Sequence, residues 1–361
     1  MLNTAFWKEK KVFVTGHTGF KGAWLSLWLE YMGAEVYGYA LKPPTIPSLY
    51  EVCQVESRLA SVTYNDIRNL DALCLAVQSA KPDIVIHMAA QPIVRKSYVN
   101  PRETYETNVL GTVHLFEAVR CSLAEGNSIK AVINVTTDKC YDNKEWDWAY
   151  RENDVLGGQD PYSNSKACSE LLTTAYRASF FSGAKGLAVA SVRAGNVIGG
   201  GDWAEDRLLP DCIAAIIKGE SIQIRNPSSV RPWQHVLEPL GGYLHLAEKL
   251  VTGGETYAEA WNFGPDESEV YSVEQVVGML CAKWGGEATY QTQLPADHLH
   301  EARMLRLDCS KAKLRLGWKP QWNISETLDK VVEWTQSWIK NENMVKSSIK
   351  QIKEYMGEKS T

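Results

Sequence analysis

The first half of the chain alternates short apolar runs with longer amphipathic stretches. The apolar runs KVFVTG, AEVYGYA, SVTYND, PDIVIHMAA, KAVINVTT and GLAVASVRAGNV are typical of strands. Between them, apolar residues at helical spacing predict helices over residues 19–32, 70–80, 104–120 and 161–181. Strands that alternate with helices favour parallel pairing with helices on both faces. The pattern therefore predicts an α/β fold built on a doubly wound parallel sheet.

This alternation breaks after Asn196. The glycine-rich loop GGGDW is followed by shorter elements, more prolines and several tryptophans, which indicates a smaller lobe of mixed structure. The later stretch WQHVLEPLGGYLHLAEKL returns to a strand and a helix. We expect a dinucleotide-binding domain over 1–193 with re-entry at about 232–262, a substrate lobe over 194–231 and 263–345, and a polar tail over 346–361.

Composition and charge narrow the classes of function. The 361 residues carry a formal net charge of −5 with scattered basic residues, which argues against nucleic-acid binding. No segment approaches the ~20 apolar residues of a membrane span, and the start lacks the apolar core of a signal peptide. The eight cysteines form no CxxC pair and no Cys/His cluster. We therefore expect reduced thiols, no metal site and a cytoplasmic location.

Three glycines stand at the first strand-to-helix turn, in VTGHTGFKG. Gly16 permits a tight bend, Gly19 lets backbone N–H groups approach a diphosphate, and Gly22 lets the helix pack close to the sheet. The turn therefore predicts a bound dinucleotide. The other residues of the turn that we place at the cofactor are His17, Phe20 and Lys21.

A second motif, YSNSK, carries candidate chemistry. It places Tyr162 and Lys166 one turn apart on the same face of a predicted helix. A neighbouring ammonium stabilises a phenolate, so we expect Lys166 to lower the pKa of Tyr162 from its usual value of about 10. Tyr162 would then act as a general base.

Together the GxxGxxG turn and the YxxxK pair resemble the extended short-chain dehydrogenase/reductase superfamily. The resemblance implies a Rossmann-type sheet and catalytic roles for Thr137, in NVTT, and Asn108, in NVLGT, beside Tyr162 and Lys166. It also implies a homodimer or larger homo-oligomer, formed by the helices that carry Asn108 and Tyr162. The turn HMAAQ would lie beside the nicotinamide ribose through His87, Ala89, Ala90 and Gln91.

At the adenosine end, the resemblance implies that Asp66 and Ile67, in NDIR, contact the adenine. A helix N-cap is the alternative role for Asp66. The second strand should end in an acidic residue for the ribose of NAD, but VYGYALKPP offers Lys42 instead. Lys42 could favour the 2′-phosphate of NADP or could lie in solvent. We expect NAD and leave NADP open.

Asp138 and Lys139 directly follow Thr137, and this acid–base pair resembles sugar nucleotide 4,6-dehydratases. Those enzymes oxidise C4 of a hexose, eliminate water across C5 and C6, and return the hydride to C6. The resemblance implies that Asp138 protonates the leaving hydroxyl. Lys139 either removes the C5 proton or stabilises the enolate as a cation.

The strings GHTGFKG, TTDKCYDN and RPWQHVLEPLGGY resemble the dehydratases that act on CDP-glucose. The expected product is CDP-4-dehydro-6-deoxy-D-glucose. Dehydratases of dTDP-glucose, GDP-mannose or UDP-N-acetylglucosamine, a nucleotide sugar 4-epimerase and a non-catalytic dinucleotide sensor are the alternatives.

For the substrate, we expect Asn196, Arg231 and Arg303 at the diphosphate, because amide and guanidinium groups donate well to phosphate oxygens. Arg303 could equally be an ordinary surface arginine. Trp203 or Trp233 could stack on the cytosine or line the sugar pocket, and a packing role is the alternative for each.

Overall fold

The computed structural model of the chain describes residues 2–183, 186–286, 288–292 and 304–358. Its strands are β1 (Lys11–Thr15), β2 (Glu35–Ala40), β3 (Ser61–Tyr64), β4 (Ile84–His87), β5 (Ala131–Val135), β6 (Ala188–Ala194), β7 (Val197–Ile198), β8 (Ile222–Ile224), β9 (Val230–Arg231), β10 (Gln234–His235), β11 (Ala260–Phe263), β12 (Tyr271–Ser272) and β13 (Tyr290–Thr292). Seven of them form one sheet in the order β11-β6-β5-β4-β1-β2-β3. All pairs in this sheet are parallel.

The helices cover both faces of this sheet and build the second lobe. They are α1 (Thr4–Trp7), α2 (Phe20–Tyr31), α3 (Leu49–Val52), α4 (Leu70–Ala80), α5 (Val94–Val99), α6 (Pro101–Tyr105), α7 (Gly111–Ala124), α8 (Pro161–Tyr176), α9 (Leu208–Lys218), α10 (Leu237–Gly253), α11 (Val273–Trp284), α12 (Ile324–Ile339) and α13 (Met344–Tyr355). A π-helical turn, Glu106–Leu110, joins α6 to α7. The predicted α/β class with a doubly wound parallel sheet is confirmed.

Burial explains why the central strands are apolar throughout. Every residue of β4, β5 and β6 is buried, as expected for parallel strands with helices on both faces. Two separate groups of apolar side chains line the two faces of the sheet. The carboxyl ends of these strands therefore meet at one edge, where ligands bind in open α/β sheets.

The second lobe has its own small core. Apolar residues of α9, α11 and α12 pack with β8 and with Trp233. Three two-stranded ladders, β7 with β10, β8 with β13 and β9 with β12, hold its loops. Between them the chain returns to the main sheet, because α10 packs on β5 and β6 and β11 pairs with β6.

The structure corrects the expectation of a polar tail over 346–361. That segment contains most of α13, which buries Ile352 and Tyr355 against the main core. Tyr355 donates a 2.8 Å hydrogen bond to Glu238 of α10. Glu238 also accepts from the backbone N–H of Trp322, at 2.7 Å. Apolar residues at helical spacing dock this helix despite its many lysines.

Among the residues that the structure describes, no helix is long and apolar enough to cross a membrane. No group of three or more His, Cys, Asp or Glu side chains in the same residues could hold a metal ion. All eight cysteines are free thiols.

Candidate active site

Two of the three turn glycines are required by packing. Gly16 has φ +76°, and a Cβ there would lie 2.7 Å from the backbone nitrogen of Ala89. A Cβ at Gly22 would lie 2.1 Å from the backbone oxygen of Gly16. Because real Cβ atoms do not approach backbone this closely, a side chain at either position would force the backbone to shift. The turn is thereby held tightly between β1 and β4.

Gly19 differs, because the nearest atom to a Cβ there is the Gly16 oxygen at an ordinary 3.5 Å. Gly19 is also the N-cap of the twelve-residue α2, and no side chain caps the helix at that point. A helix N-terminus presents N–H groups and a partial positive charge to an anion. The space beside Gly19 therefore fits the diphosphate of a dinucleotide.

His17 is completely buried, and its ring occupies the space that a side chain at Gly38 would fill. The imidazole packs edge-to-face on Tyr50. Burial lowers its pKa to about 4, so the ring is neutral near pH 7. This ring packs within the core, and a contact of His17 with the cofactor stays a prediction.

At the adenosine end, Arg68 holds the carboxylate of Asp66 in an ion pair of 2.6 Å. The hydrogen bonds from Arg68 lower the pKa of Asp66. The N-cap of α4 is Asn69, whose side chain accepts from Ala72, so the alternative role of Asp66 as a helix cap is wrong. Ile67 packs on Gly111 of α7. Their contacts with adenine stay predictions, and Lys42 is exposed.

The turn that we expect at the nicotinamide is held by Asn108, which lies in the π-helical turn. Its amide donates 2.9 Å to Ser165 of α8 and 3.1 Å to the backbone oxygen of Gln91. Its carbonyl accepts from the Gln91 N–H at 2.8 Å. His87, at the end of β4, lies 2.7 Å from the Thr15 hydroxyl. Asn108 thus fixes the turn that contains Ala89, Ala90 and Gln91 against the helix of Tyr162.

The candidate catalytic residues meet at the carboxyl end of β5. Thr137 follows that strand and donates 2.9 Å to Oδ1 of Asp138. Asp138 and Lys139 begin a single 3-10 turn. Tyr162 and Lys166 lie on α8, and the Lys166 ammonium donates 3.1 Å to the backbone oxygen of Val135. The structure therefore brings the Tyr/Lys pair and the Asp/Lys pair to one place.

The pKa of Tyr162 moves in the direction opposite to our expectation. Burial raises it to about 12 and outweighs the lowering effect of the Thr137 hydroxyl. Burial also lowers the pKa of Lys166 to about 8, although Glu170 raises it in part. The Lys166 ammonium donates to the backbone oxygen of Val135, so desolvation of the phenol determines the direction in which the Tyr162 pKa shifts. Tyr162 holds its proton firmly at neutral pH.

Asp138 has the properties of an acid. It is 1% exposed, and among the described residues its Oδ2 has no hydrogen-bond partner. Burial raises its pKa even though Lys139, Thr137 and Arg231 lower it. A carboxyl group in this position retains its proton to a higher pH than an ordinary aspartate. The group could therefore donate that proton to a leaving oxygen.

Two further residues at this site escaped the sequence analysis. Tyr243 of α10 accepts a 3.3 Å hydrogen bond from Lys21, and Arg207 lies close enough to affect Lys21 and Tyr162. Burial, with Lys166 and Arg207, lowers the pKa of Lys21 to about 7. Arg207 lies in the glycine-rich GGGDWAEDR segment, and that segment could have indicated a functional residue. Only the folded position of α10 indicates Tyr243.

The expected substrate residues lie far apart in the sequence of the second lobe. Arg231 is buried and near enough to Asp138 to lower the pKa of that carboxyl, and the backbone oxygen of Asn196 accepts from the backbone N–H of Gln234 at 3.1 Å. The Trp203 ring packs edge-to-face on the rings of Trp334 and Trp338. Arg303 lies outside the described residues. Their contacts with substrate stay predictions.

Comparison with known proteins gives the family. Residues 13–331 match the GDP-mannose 4,6 dehydratase family. The chain belongs to that family. It is 52% identical over 360 residues to CDP-glucose 4,6-dehydratase of Salmonella typhimurium, and the match covers 99% of each chain. The family membership inferred from the motifs is confirmed.

Solved structures share the fold of this family member. UDP-glucose 4-epimerase of Thermotoga maritima has a TM-score of 0.76 at 23% identity, covering 91% of this chain and 99% of that one. The dTDP-glucose 4,6-dehydratase DesIV of Streptomyces venezuelae, with NAD bound, has a TM-score of 0.76 at 22% identity. That match covers 92% of this chain and 99% of the other. At such identities the likeness concerns the fold alone.

Proposed function

We propose that this chain converts CDP-D-glucose to CDP-4-dehydro-6-deoxy-D-glucose and water, with NAD as its cofactor. The observation that carries the proposal is the buried Asp138, whose pKa is raised and whose Oδ2 is unpartnered among the described residues, beside Lys139 and Tyr162. An epimerase needs no such acid. The identity of the substrate is supported by the full-length match at 52% identity.

The residues present fit NAD. The space beside Gly19 and the N-terminus of α2 would hold its diphosphate, and the turn from His87 to Gln91 would hold its nicotinamide ribose. When bound, NAD supplies reversible two-electron oxidation of the sugar at C4 and reduction at C6.

In the oxidation step, Tyr162 receives the proton of the sugar O4. Its high pKa makes the phenolate a strong proton acceptor, and the Thr137 hydroxyl and the guanidinium of Arg207 partly offset the cost of forming that ion. Ser97 receives a 3.2 Å hydrogen bond from the backbone N–H of Tyr162, and Asn108 holds Ser165 of the same helix. These contacts fix where the phenol stands.

The elimination step belongs to Asp138 and Lys139. A ketone at C4 acidifies the C5 proton, and the C6 oxygen leaves as water only if it gains a proton. Asp138 supplies that proton because burial keeps it in the acid form. Lys139 either accepts the C5 proton as a neutral amine or stabilises the enolate as an ammonium.

A substrate panel tests the proposal. The NAD-loaded enzyme is incubated with CDP-, dTDP-, GDP- and UDP-hexoses, and the 4-keto-6-deoxy product is measured, with Asp138→Asn as the matched control. We expect product from CDP-glucose at the highest kcat/KM. A C4 epimer without loss of water would favour the epimerase. Dinucleotide binding without turnover on any sugar would favour the sensor.

We also propose that the chain forms a homodimer in the cytoplasm. Exposed apolar side chains lie on α5, α6, the π-helical turn and α8, which pack against one another. They are Tyr98, Val99, Tyr105, Leu110 and Leu171. Free cysteines suit a reducing compartment. Sedimentation equilibrium should give twice the chain mass, and Leu171→Glu should reduce it to one chain.

A further inference from the structure

A buried ion pair lies beneath the two catalytic pairs. Glu170 of α8 and Arg193 of β6 are joined at 2.8 Å, and their side chains are 1% and 3% exposed. Arg193 keeps the Glu170 carboxylate ionised: burial favours the neutral acid, but the guanidinium and nearby hydroxyls together lower the pKa of Glu170 below its usual value. Glu170 is one helical turn from Lys166, so the pair is rigidly connected to the helix of Tyr162 and Lys166.

The same ion pair holds the chain on both sides of Asp138 and Lys139. Two residues before Asp138, the Thr136 hydroxyl donates to Oε1 of Glu170. Three residues after it, the Tyr141 hydroxyl accepts from Nη1 of Arg193 at 2.8 Å. The residues on either side of the Asp138–Lys139 turn are therefore both hydrogen-bonded to this ion pair.

The anchor at Tyr141 continues into the neighbouring strand and loop. Its hydroxyl donates 2.7 Å to Asn262 of β11, and Arg193 donates 3.0 Å to the backbone oxygen of Glu152. The Asn262 amide in turn donates 2.9 Å to the backbone oxygen of Tyr150. The segment that follows Lys139 is thus fixed to the sheet through one guanidinium and one phenol.

We propose that Glu170, Arg193 and Tyr141 are positioning residues that align Asp138 and Lys139 with the sugar held by Tyr162. This inference rests on the proposed function. Without this connection the oxidising pair on α8 would stay in place, because Asn108 and Ser97 hold that helix independently. Asp138 and Lys139 would no longer be held at a fixed position relative to the sugar. A misplacement of about 1 Å can cost a hundredfold in rate.

The test separates the two steps in a single turnover. NAD-loaded enzyme is mixed with CDP-glucose, quenched and reduced with borohydride, which distinguishes CDP-4-ketoglucose from the 4-keto-6-deoxy product. Arg193→Lys keeps the charge but cannot reach both Glu170 and Tyr141. Tyr141→Phe loses only the hydroxyl and keeps the ring stacked on Tyr150 at 5.1 Å, so it is the variant expected to fold.

We expect CDP-4-ketoglucose to accumulate in Tyr141→Phe, with elimination slowed about tenfold or more while oxidation stays near the wild-type rate. Asp138→Asn should give the same accumulation. Thr173→Val is the structural control: it removes the buried 2.7 Å hydrogen bond that the Asn134 amide donates to Thr173, one turn beyond Glu170 on α8, and leaves the hydrogen bonds of Glu170 and Arg193 in place. It should lower the melting temperature without accumulation of the ketone.

Two results contradict the inference. If folded Tyr141→Phe loses both steps equally, or neither, the ion pair acts only on stability. If Thr173→Val also accumulates CDP-4-ketoglucose, any disturbance of α8 slows elimination and the three residues have no specific positioning role. Failure of the proposed function is a separate outcome, because the wild-type enzyme would then form no 4-keto-6-deoxy sugar from CDP-glucose.

Discussion

Alanine at two glycines of the first turn should separate folding from cofactor binding. At Gly22 a Cβ would lie 2.1 Å from the Gly16 oxygen and 2.8 Å from the Cα of His17, both backbone atoms that cannot rotate away. Forcing such contacts costs about 1–3 kcal/mol, while alanine in a helix gains up to about 1 kcal/mol over glycine. Gly22→Ala should therefore lower the free energy of unfolding by up to about 3 kcal/mol net, in contrast to Gly19→Ala.

Gly19→Ala should have the opposite profile. The backbone there has φ −76°, which alanine adopts freely, and the nearest neighbour of the new Cβ is at 3.5 Å. The unfolding free energy should be unchanged or rise by up to ~1 kcal/mol, because the unfolded chain loses freedom. The methyl group would occupy the space into which we place the diphosphate. NAD affinity should fall at least about tenfold, equivalent to ~1.4 kcal/mol.

Urea unfolding without cofactor measures the first effect, and titration calorimetry with NAD measures the second. Wild-type affinity in Gly19→Ala would show that no diphosphate approaches this point of the turn. A loss of stability in Gly19→Ala as large as that in Gly22→Ala would show that the space beside Gly19 is not open in solution. Either result refutes the distinction drawn between the two glycines.

Three other predictions concern the catalytic residues and the C-terminal helix. Tyr162→Phe should reduce kcat by about 10²–10⁴ with KM nearly unchanged, since the ring stays and only the proton acceptor is lost; steady-state kinetics with unchanged kcat would exclude Tyr162 as the base. Because Asp138 must donate a proton and burial raises its pKa, elimination should slow as pH rises through that raised pKa, and Asp138→Asn should abolish this basic limb along with the step itself. A pH profile of single-turnover elimination that shows no such limb in the wild type would contradict the acid role. Burial raises the pKa of Glu238 to about 7 from an ordinary 4.5, so the folded chain binds this proton more tightly than the unfolded chain. The resulting stabilisation is complete below about pH 4.5 and is lost as pH rises through 7, a change of roughly 3 kcal/mol in the free energy of unfolding. Urea unfolding at about pH 5 and pH 8 should show a smaller difference in Glu238→Gln than in the wild type; an equal difference would place the titration elsewhere.

The sheet and the two motifs could be predicted because their signals are local. The strand–glycine–helix order of Gly16 to Gly22 and the four-residue spacing of Tyr162 and Lys166 depend on neighbours within a few positions. The π-helical turn at Asn108 was not predicted, because apolar spacing indicated one continuous helix over 104–120 and does not distinguish a π-helical turn within it. Spacing therefore located Asn108 without showing how its amide reaches Gln91 and Ser165.

The C-terminal helix shows the limit of composition as a signal. Residues 346–361 contain four lysines and few apolar side chains, yet Met344, Ile352 and Tyr355 recur at helical spacing and are buried. The Tyr355 hydroxyl donates to Glu238, more than a hundred residues earlier in the chain. No pattern in either segment predicts that hydrogen bond. The segment alone therefore does not show the surface against which α13 packs.

The direction of the pKa shift at Tyr162 was even less accessible, because burial decides it. The spacing of Tyr162 and Lys166 puts both residues on α8 one turn apart, but the phenol is desolvated and the ammonium donates to the backbone oxygen of Val135. At Asp138, three neighbouring groups that lower the pKa are outweighed by the loss of water. The same Asp-Lys pair at an exposed turn would be an ordinary salt-linked pair with an ionised aspartate. Its raised pKa follows from its place after a fully buried strand, and the equally buried Glu170–Arg193 pair bonds to Thr136 and Tyr141 on either side of it.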